Sequence, residues 1–153
     1  MSDPATILIA EDDAGHFALV KKNLWRACPV REIVHFKDGQ EVLDFLMNPA
    51  AEQRFVPGRN YLLLLDLYLP KVNGLEVLER MKADRELRKI PVIILTTSRE
   101  QTDVNRAYDM GCNAYVTKPV DYTEFMEAVE SLGEVLSLPE FAWPKIQAEE
   151  GGE

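Results

Sequence analysis

Short apolar runs alternate with segments of helical periodicity along most of this chain. The runs occupy residues 6–10, 32–36, 61–66, 91–95 and 114–117. The helical segments begin near Ala14, Gly39, Leu75, Gln101 and Asp121. Strands that alternate with helices in this way form parallel sheets with helices on both faces. The sequence therefore predicts an α/β fold with five strands and five helices.

Residues that cap helices or form turns support these boundaries. Ser98 or Thr102 could cap the fourth helix, and Asp121 could cap the fifth. Gly111 follows the fourth helix, where a left-handed residue is expected. Residues 48–60 contain prolines and glycine and little periodicity, which predicts a long surface loop before the third strand.

Composition and charge exclude several classes of function. The chain has 153 residues and a net charge of -9, which argues against nucleic acid and anionic membrane surfaces as direct partners. No apolar stretch approaches the roughly 20 residues that span a bilayer. The N-terminus shows no signal peptide, so we expect a cytoplasmic protein. Cys28 and Cys112 lack the spacing of a metal or redox motif, so we expect two reduced thiols.

Charged and polar residues stand at the ends of four of the predicted strands. Glu11 and Asp12 end the first run, Asp66 ends the third, and Lys118 follows the fifth. Thr96 follows the fourth run. The carboxyl ends of parallel strands meet at one edge of a sheet, where α/β folds build their sites. The sequence therefore predicts one site made from these side chains.

The predicted cluster has the composition of a phosphoryl-transfer site. Two carboxylates about 4–5 Å apart repel by roughly 3–4 kcal/mol at an effective dielectric of about 20, so Glu11, Asp12 and Asp66 need a compensating cation. Carboxylate oxygens suit Mg²⁺, and Lys118 adds a second positive charge. A carboxylate nucleophile, a metal ion and donors for phosphoryl oxygens are what transfer to an aspartate requires.

The ordered set of motifs resembles the receiver domain of two-component response regulators. The matching segments are Ile7-Leu8-Ile9-Ala10-Glu11-Asp12, Leu63-Leu64-Leu65-Asp66-Leu67-Tyr68-Leu69-Pro70 with Asn73-Gly74, Pro91-Val92-Ile93-Ile94-Leu95-Thr96, and Gly111-Cys112-Asn113-Ala114-Tyr115-Val116-Thr117-Lys118-Pro119. The resemblance covers residues 5–137 and implies a flavodoxin-like doubly wound (βα)5 fold with strand order 2-1-3-4-5. We expect a receiver domain over residues 1–137 and a C-terminal arm over 138–153.

The resemblance implies a role for each matching residue of the metal and phosphate site. Asp66 is similar to the phosphorylated aspartate, Asp12 to the direct Mg²⁺ ligand and Glu11 to the acid that holds the ion through water. Tyr68 occupies the position whose backbone carbonyl completes the metal site. Lys118 matches the lysine that pairs with the phosphoryl group. A purely structural alternative is that Asp66 forms a buried ion pair with Lys118.

Two further positions match the residues that move on phosphorylation in this family. Thr96 is similar to the switch hydroxyl and Tyr115 to the switch aromatic. The alternatives are that Thr96 merely caps a strand and that Tyr115 is ordinary core packing. His16 is interpreted as a helix-surface residue at the end facing a kinase, and His35 as an ordinary strand residue.

The first helix, the long loop and the tail look like those of the small response regulators paired with phytochrome-type kinases. The implied partner is a histidine kinase, in particular a bacteriophytochrome. The few residues after Ser137 leave no room for an output domain, so we expect output by protein contact. Leu138, Phe141 and Trp143 in the arm predict a homodimer, with folding back onto their own domain as the alternative.

Two other functions would use some of the same residues. A Mg²⁺-dependent phosphatase that uses an aspartyl-phosphate would resemble haloacid dehalogenase-like proteins, which carry a DxDx pattern after the first strand. This chain has Glu11-Asp12-Asp13 there, and its lone strand-end aspartate is on the third strand. A receiver-like module that binds without being phosphorylated is the second alternative.

Overall fold

The computed structural model describes residues 5–27 and 30–118, together with Thr123 and Glu127. The strands are β1 Thr6–Ala10, β2 Glu32–Phe36, β3 Tyr61–Leu65, β4 Val92–Thr96 and β5 Ala114–Thr117. The helices are α1 Ala14–Ala27, α2 Gly39–Met47, α3 Gly74–Lys82 and α4 Gln101–Asp109, with a 3₁₀ turn at Leu87–Lys89. Apart from Thr123 and Glu127, the predicted fifth helix lies outside the described residues, as do its cap at Asp121 and the C-terminal arm.

The five strands form one parallel sheet in the order β2-β1-β3-β4-β5. This confirms the predicted doubly wound fold. The strand order reverses between β1 and β3, which pair in register from Thr6 with Tyr61 to Ala10 with Leu65. The crevice beyond the carboxyl ends of these two strands is where such a sheet places a site.

Both faces of the central strands are buried, because side chains of a strand alternate between the two faces of the sheet. Leu63 and Leu65 of β3 pack with α2 and α3, whereas Leu62 and Leu64 pack on the α1 side. β1 and β3 are buried along their whole length. Runs of this kind, apolar on both faces, are typical of a parallel sheet covered by helices. None of the described helices is long and apolar enough to cross a bilayer.

Local capping explains where the helices begin and end. Asp38 caps α2 and Asn73 caps α3, each through a side-chain oxygen that accepts a backbone N–H. The predicted cap of α4 is wrong: the residue before the helix is Glu100, which makes no side-chain cap, and Thr102 lies inside the helix. Gly111 has φ 104°, which confirms the left-handed residue expected after α4.

Gly74 joins the first turn of α3 to the chain that leaves β3. Its N–H donates to the carbonyl oxygen of Leu67 at 2.7 Å. A Cβ atom at position 74 would lie 2.2 Å from the backbone oxygen of Asp66. Because the obstacle is backbone, no rotation of a side chain could relieve the overlap. The close approach therefore fixes the position of Asp66 against α3.

We expect Gly74→Ala to destabilise the protein by at least about 1–3 kcal/mol, the usual cost of overpacking a filled site. Urea unfolding of the variant and of the wild type measures this difference. Gly15→Ala is the matched control, because an added Cβ there approaches only the exposed side chain of Asp13, at 3.2 Å. Equal unfolding midpoints for the wild type and Gly74→Ala would show that the backbone at Asp66 can move.

Candidate functional site

The carboxyl edge of the sheet brings together side chains from four strand ends. Glu11 and Asp66 follow β1 and β3, Thr96 ends β4, and Lys118 follows β5. Strand-like hydrogen bonds continue past the strands, because the N–H of Asp66 donates to Ala10 and that of Lys118 to Thr96, at 3.1 and 2.8 Å. The backbone ladder therefore sets the direction of these side chains before any of them contacts another.

Lys118 is the central cation of the site. Its Nζ donates to Glu11 Oε1 in a short contact and to Asp66 Oδ2 at 3.0 Å. The side chain is buried, and burial alone would lower the pKa of Lys118. The hydrogen bond to Glu11 and the charge of Asp66 outweigh burial and raise this pKa above 10.5. One ammonium group thus balances two buried carboxylates.

Three carboxylates form a cluster that could hold a metal ion. Ligand oxygens of Glu11, Asp12 and Asp66 lie within 4.8 Å of one another. Glu11 and Asp66 are buried, whereas Asp12 is exposed and opens the cluster toward solvent. Three negative charges at this spacing exceed what Lys118 alone can balance. Oxygen ligands with one open side suit a hard divalent cation that keeps some of its water.

Both carboxylate oxygens of Asp66 have a partner. Lys118 Nζ donates to Oδ2, and the backbone N–H of Tyr68 donates to Oδ1 at 3.2 Å. Asp66 is only 7% exposed, and these two contacts fix the plane of its carboxylate. Tyr68 itself lies on the surface, with 60% of its area exposed.

Thr96 and Tyr115 both contact Ser98, which lies in the loop after β4. Thr96 is fully buried, and its Oγ1 accepts the N–H of Ser98 at 3.5 Å. The Tyr115 hydroxyl donates to the Ser98 carbonyl oxygen at 3.0 Å. The ring of Tyr115 also packs against the core cluster, and burial raises its pKa. Tyr115 therefore combines core packing with a polar contact to the loop that follows Thr96.

The family model for the response regulator receiver domain matches residues 7–130. The chain belongs to the response regulator receiver family. Members of this family accept a phosphoryl group in two-component signalling, so the chain is a phosphoacceptor response regulator.

Named relatives support the assignment at high coverage. The "Probable methanogenesis regulatory protein FilR2" of Methanothrix harundinacea is 38% identical over 132 residues, which is 86% of this chain and 83% of the relative. The response regulator Rcp1 of Synechocystis sp. is 36% identical over 129 residues, 84% of this chain and 86% of Rcp1.

Solved structures of response regulators also resemble the chain over most of its length. The bacteriophytochrome response regulator RtBRR has a TM-score of 0.72 and 41% identity, and the match covers 85% of this chain and 78% of RtBRR. The Mn²⁺-bound form of Rcp1 has a TM-score of 0.71 and 35% identity, and that match covers 85% of this chain and 92% of Rcp1.

Two histidines contact the receiver site, although the sequence interpretation gave neither a role in it. His16 Nδ1 lies 3.3 Å from Lys118 Nζ and 4.0 Å from Glu11 Oε2. His35 Nε2 is hydrogen-bonded to the backbone oxygen of Glu11 at 2.7 Å, and its ring stacks on Phe17. The positions of the two histidines could have indicated these contacts. His16 lies in the first helical turn after the acidic run, and His35 is on the strand paired with β1.

A second polar cluster was also missed in the sequence. The carboxylate of Asp103 on α4 accepts the hydroxyls of Tyr68, in a short contact, and Ser98, at 2.6 Å. The hydrogen bonds from Ser98 and Tyr68 lower the pKa of Asp103, and the same contact with Asp103 raises the pKa of Tyr68. Ser98 had been expected to cap α4; its hydroxyl donates to Asp103, and its Oγ accepts the N–H of Glu100, the residue before the helix, at 3.3 Å.

We expect Lys118→Met to destabilise the metal-free protein by about 3–5 kcal/mol, the cost of leaving buried charge without its partner. Glu11 and Asp66 would then face each other without a cation. Chemical denaturation at neutral pH measures the loss. Lys71→Met is the matched control, because Lys71 is 69% exposed and its ion pair with Asp38 should contribute only about 0–1 kcal/mol.

The pH dependence tests the same contact. Because the pKa of Lys118 is raised in the folded protein, its contribution is fully present below pH 10.5 and is lost as the pH rises through the raised value. The difference in unfolding free energy between the wild type and Lys118→Met should therefore shrink above pH 10.5. A difference that stays constant into strong alkali would contradict this assignment of the charge.

Proposed function

We propose that Asp66 is the residue that accepts the phosphoryl group and that a histidine kinase donates it. The observation that carries the proposal is the carboxylate cluster around Asp66, in which buried Lys118 forms ion pairs with Glu11 and Asp66. The chain also belongs to the receiver family. A buried ion pair would by itself be a weak reason for this arrangement, since such pairs contribute little net stability. The surplus of negative charge favours a site that takes up cations and a phosphoryl group.

The chain's own residues would orient the reacting carboxylate. An oxygen of Asp66 attacks phosphorus, the bond between phosphorus and the donor histidine nitrogen breaks, and its electron pair stays with the imidazole. The product is an acyl phosphate on Asp66. Lys118 and the N–H of Tyr68 hold the plane of the Asp66 carboxylate before the reaction, which reduces the entropy cost of reaching the transition state. Lys118 would also pair with charge on the transferred group.

Glu11, Asp12 and Asp66 would hold Mg²⁺, with the backbone carbonyl of Tyr68 as a further ligand. The hard oxygen donors fit this ion, and the Mn²⁺-bound form of the relative Rcp1 supports a divalent cation at the site. When bound, the ion would neutralise charge on the phosphoryl oxygens. Asp12 is the exposed member of the set, so an ion could reach the cluster on its side.

Thr96 and Tyr115 would report the state of Asp66 to the surface. A phosphoryl group on Asp66 gives the Thr96 hydroxyl a charged partner, and charge-assisted hydrogen bonds are the stronger kind. Movement of Thr96 would carry Ser98 with it and change the contact made by the Tyr115 hydroxyl. This path would turn phosphorylation into a change of the surface formed by α4 and β5.

The proposed kinase is a bacteriophytochrome, because the chain is similar to RtBRR and because the sequences of its first helix, long loop and tail resemble those of phytochrome-associated regulators. The proposed setting is cytoplasmic, and the proposed output is protein contact, because a net charge of -9 disfavours nucleic acid and anionic membranes as partners.

A receiver domain over residues 1–137 and an arm over 138–153 is the proposed division of the chain. Phosphotransfer from a purified bacteriophytochrome kinase, compared with an unrelated histidine kinase, tests the partner.

We expect the wild type to gain one phosphoryl group from acetyl phosphate with Mg²⁺, and Asp66→Asn to gain none. Intact-protein mass measurement detects the added group. Asp12→Ala serves as the metal control: it should need a far higher Mg²⁺ concentration while Asp66 remains the labelled residue. Labelling of Asp66→Asn at the wild-type level would move the acceptor elsewhere, and steady turnover of a phosphomonoester would favour the phosphatase alternative.

We also propose a homodimer held partly by the C-terminal arm. The arm keeps the large apolar residues Leu138, Phe141 and Trp143, and aromatic anchors such as Trp143 are often found in interface pockets. At tens of micromolar, light scattering should therefore give a dimer mass for the full chain and a monomer mass for a chain that ends at Ser137. A full-length monomer, or a dimer unchanged by truncation, would remove the role given to the arm.

A further inference from the structure

One carboxylate oxygen on α4 connects the loops that follow β3 and β4. Asp103 Oδ2 accepts the hydroxyl of Tyr68, from the first loop, and that of Ser98, from the second. Asp103 is 8% exposed, although it lies in the first turn of a surface helix. A buried charge with two hydroxyl donors is a well-satisfied group, and hydrogen bonds to a charge are stronger than neutral ones.

Helix capping does not account for this carboxylate. An acidic residue in the first turn usually accepts backbone N–H groups of its own helix or interacts with the helix dipole. The two hydrogen bonds of the Asp103 carboxylate both come from side chains outside α4. The residue that precedes the helix, Glu100, makes no side-chain cap either. The cluster therefore joins α4 to the two loops rather than closing the end of the helix.

Each hydroxyl donor is directly linked to the phosphoacceptor site. The backbone N–H of Tyr68 donates to Asp66 Oδ1, and the backbone N–H of Ser98 donates to Thr96 Oγ1. Asp103 is therefore one residue removed from both groups, although its own side chain touches neither. A displacement of Asp103 would release Tyr68 and Ser98 together.

We propose that Asp103 is a positioning residue for the phosphoacceptor site, holding the Tyr68 loop and the Ser98 loop in one relative arrangement. The proposal rests on the proposed function of Asp66. The Tyr68 loop, residues 66–73, supplies an N–H to Asp66 and the carbonyl proposed as a metal ligand, while the Ser98 loop, residues 97–100, follows Thr96 and donates an N–H to its Oγ1. Holding both loops before the reaction reduces the entropy lost when an ion and a phosphodonor bind.

Four variants test the proposal in the full chain: Asp103→Ala, Asp103→Asn, Tyr68→Phe and the double variant Tyr68→Phe/Ser98→Ala. Asn105→Ala is the control on the same helix, because it removes only the exposed hydrogen bond with Gln101. Three quantities are measured for each: the melting temperature without Mg²⁺, the Mg²⁺ dissociation constant by calorimetry, and the maximal rate of phosphorylation by acetyl phosphate.

Asp103→Ala should weaken Mg²⁺ binding and slow phosphorylation, each by about 3- to 10-fold, the effect of losing a hydrogen bond that orders the site. Asp103→Asn should recover part of this loss, since its amide oxygen can still accept both hydroxyls. The double variant should be no worse than Asp103→Ala, because all of these changes break one cluster. Asn105→Ala should match the wild type.

Unchanged Mg²⁺ affinity and rate in Asp103→Ala would overturn the proposal. So would a loss that only follows the fall in melting temperature, or a double variant that loses clearly more Mg²⁺ affinity and rate than Asp103→Ala. If the wild type is not labelled at Asp66, the proposed function fails, and the Mg²⁺ affinity of Asp103→Ala against Asn105→Ala then decides the positioning role alone.

Discussion

The contact of Lys118 with Glu11 and Asp66 is the constraint on which the rest of this edge depends. Two buried carboxylates can both stay ionised at one site only if a cation lies between them. Lys118 supplies that cation from the end of β5. This contact requires β1, β3 and β5 to end at the same level, with β4 between β3 and β5. The register of the parallel strands is therefore tied to the electrostatics of the site.

The residues of the site that could be predicted are those that directly follow a strand. A run such as Tyr61 to Leu65 is apolar on both faces, which identifies a central strand, and the residue that follows it must lie at the carboxyl edge. The same reasoning places Glu11 and Lys118 beside Asp66 without knowledge of any side-chain contact. The α/β class and the cluster could thus be inferred from period and position, whereas the strand order followed from the resemblance to the receiver family.

The parts that escaped prediction depend on contacts between side chains far apart in the sequence. His35 reaches Glu11 only because β2 pairs with β1 in one register, and a shift of one residue would turn its ring to the other face of the sheet. Ser98 could have capped α4 on propensity alone. Its Oγ does accept the N–H of Glu100, the residue before the helix, at 3.3 Å, but its hydroxyl proton goes to Asp103, because the loop brings the two side chains within 2.6 Å. Propensity cannot distinguish between two such partners.

The two oxygens of Asp66 are tied to different networks, and this has a consequence for any reaction there. Oδ2 belongs to the buried charges through Lys118, whereas Oδ1 leads through Tyr68 to Asp103 on α4. An acyl phosphate makes one of these oxygens the bridging atom, which then accepts a weaker hydrogen bond than a carboxylate oxygen does. Reaction at Oδ1 would loosen the link to α4, and reaction at Oδ2 would shift Lys118 toward the new phosphoryl oxygens. Modification of Asp66 therefore perturbs at least one network that extends beyond the site.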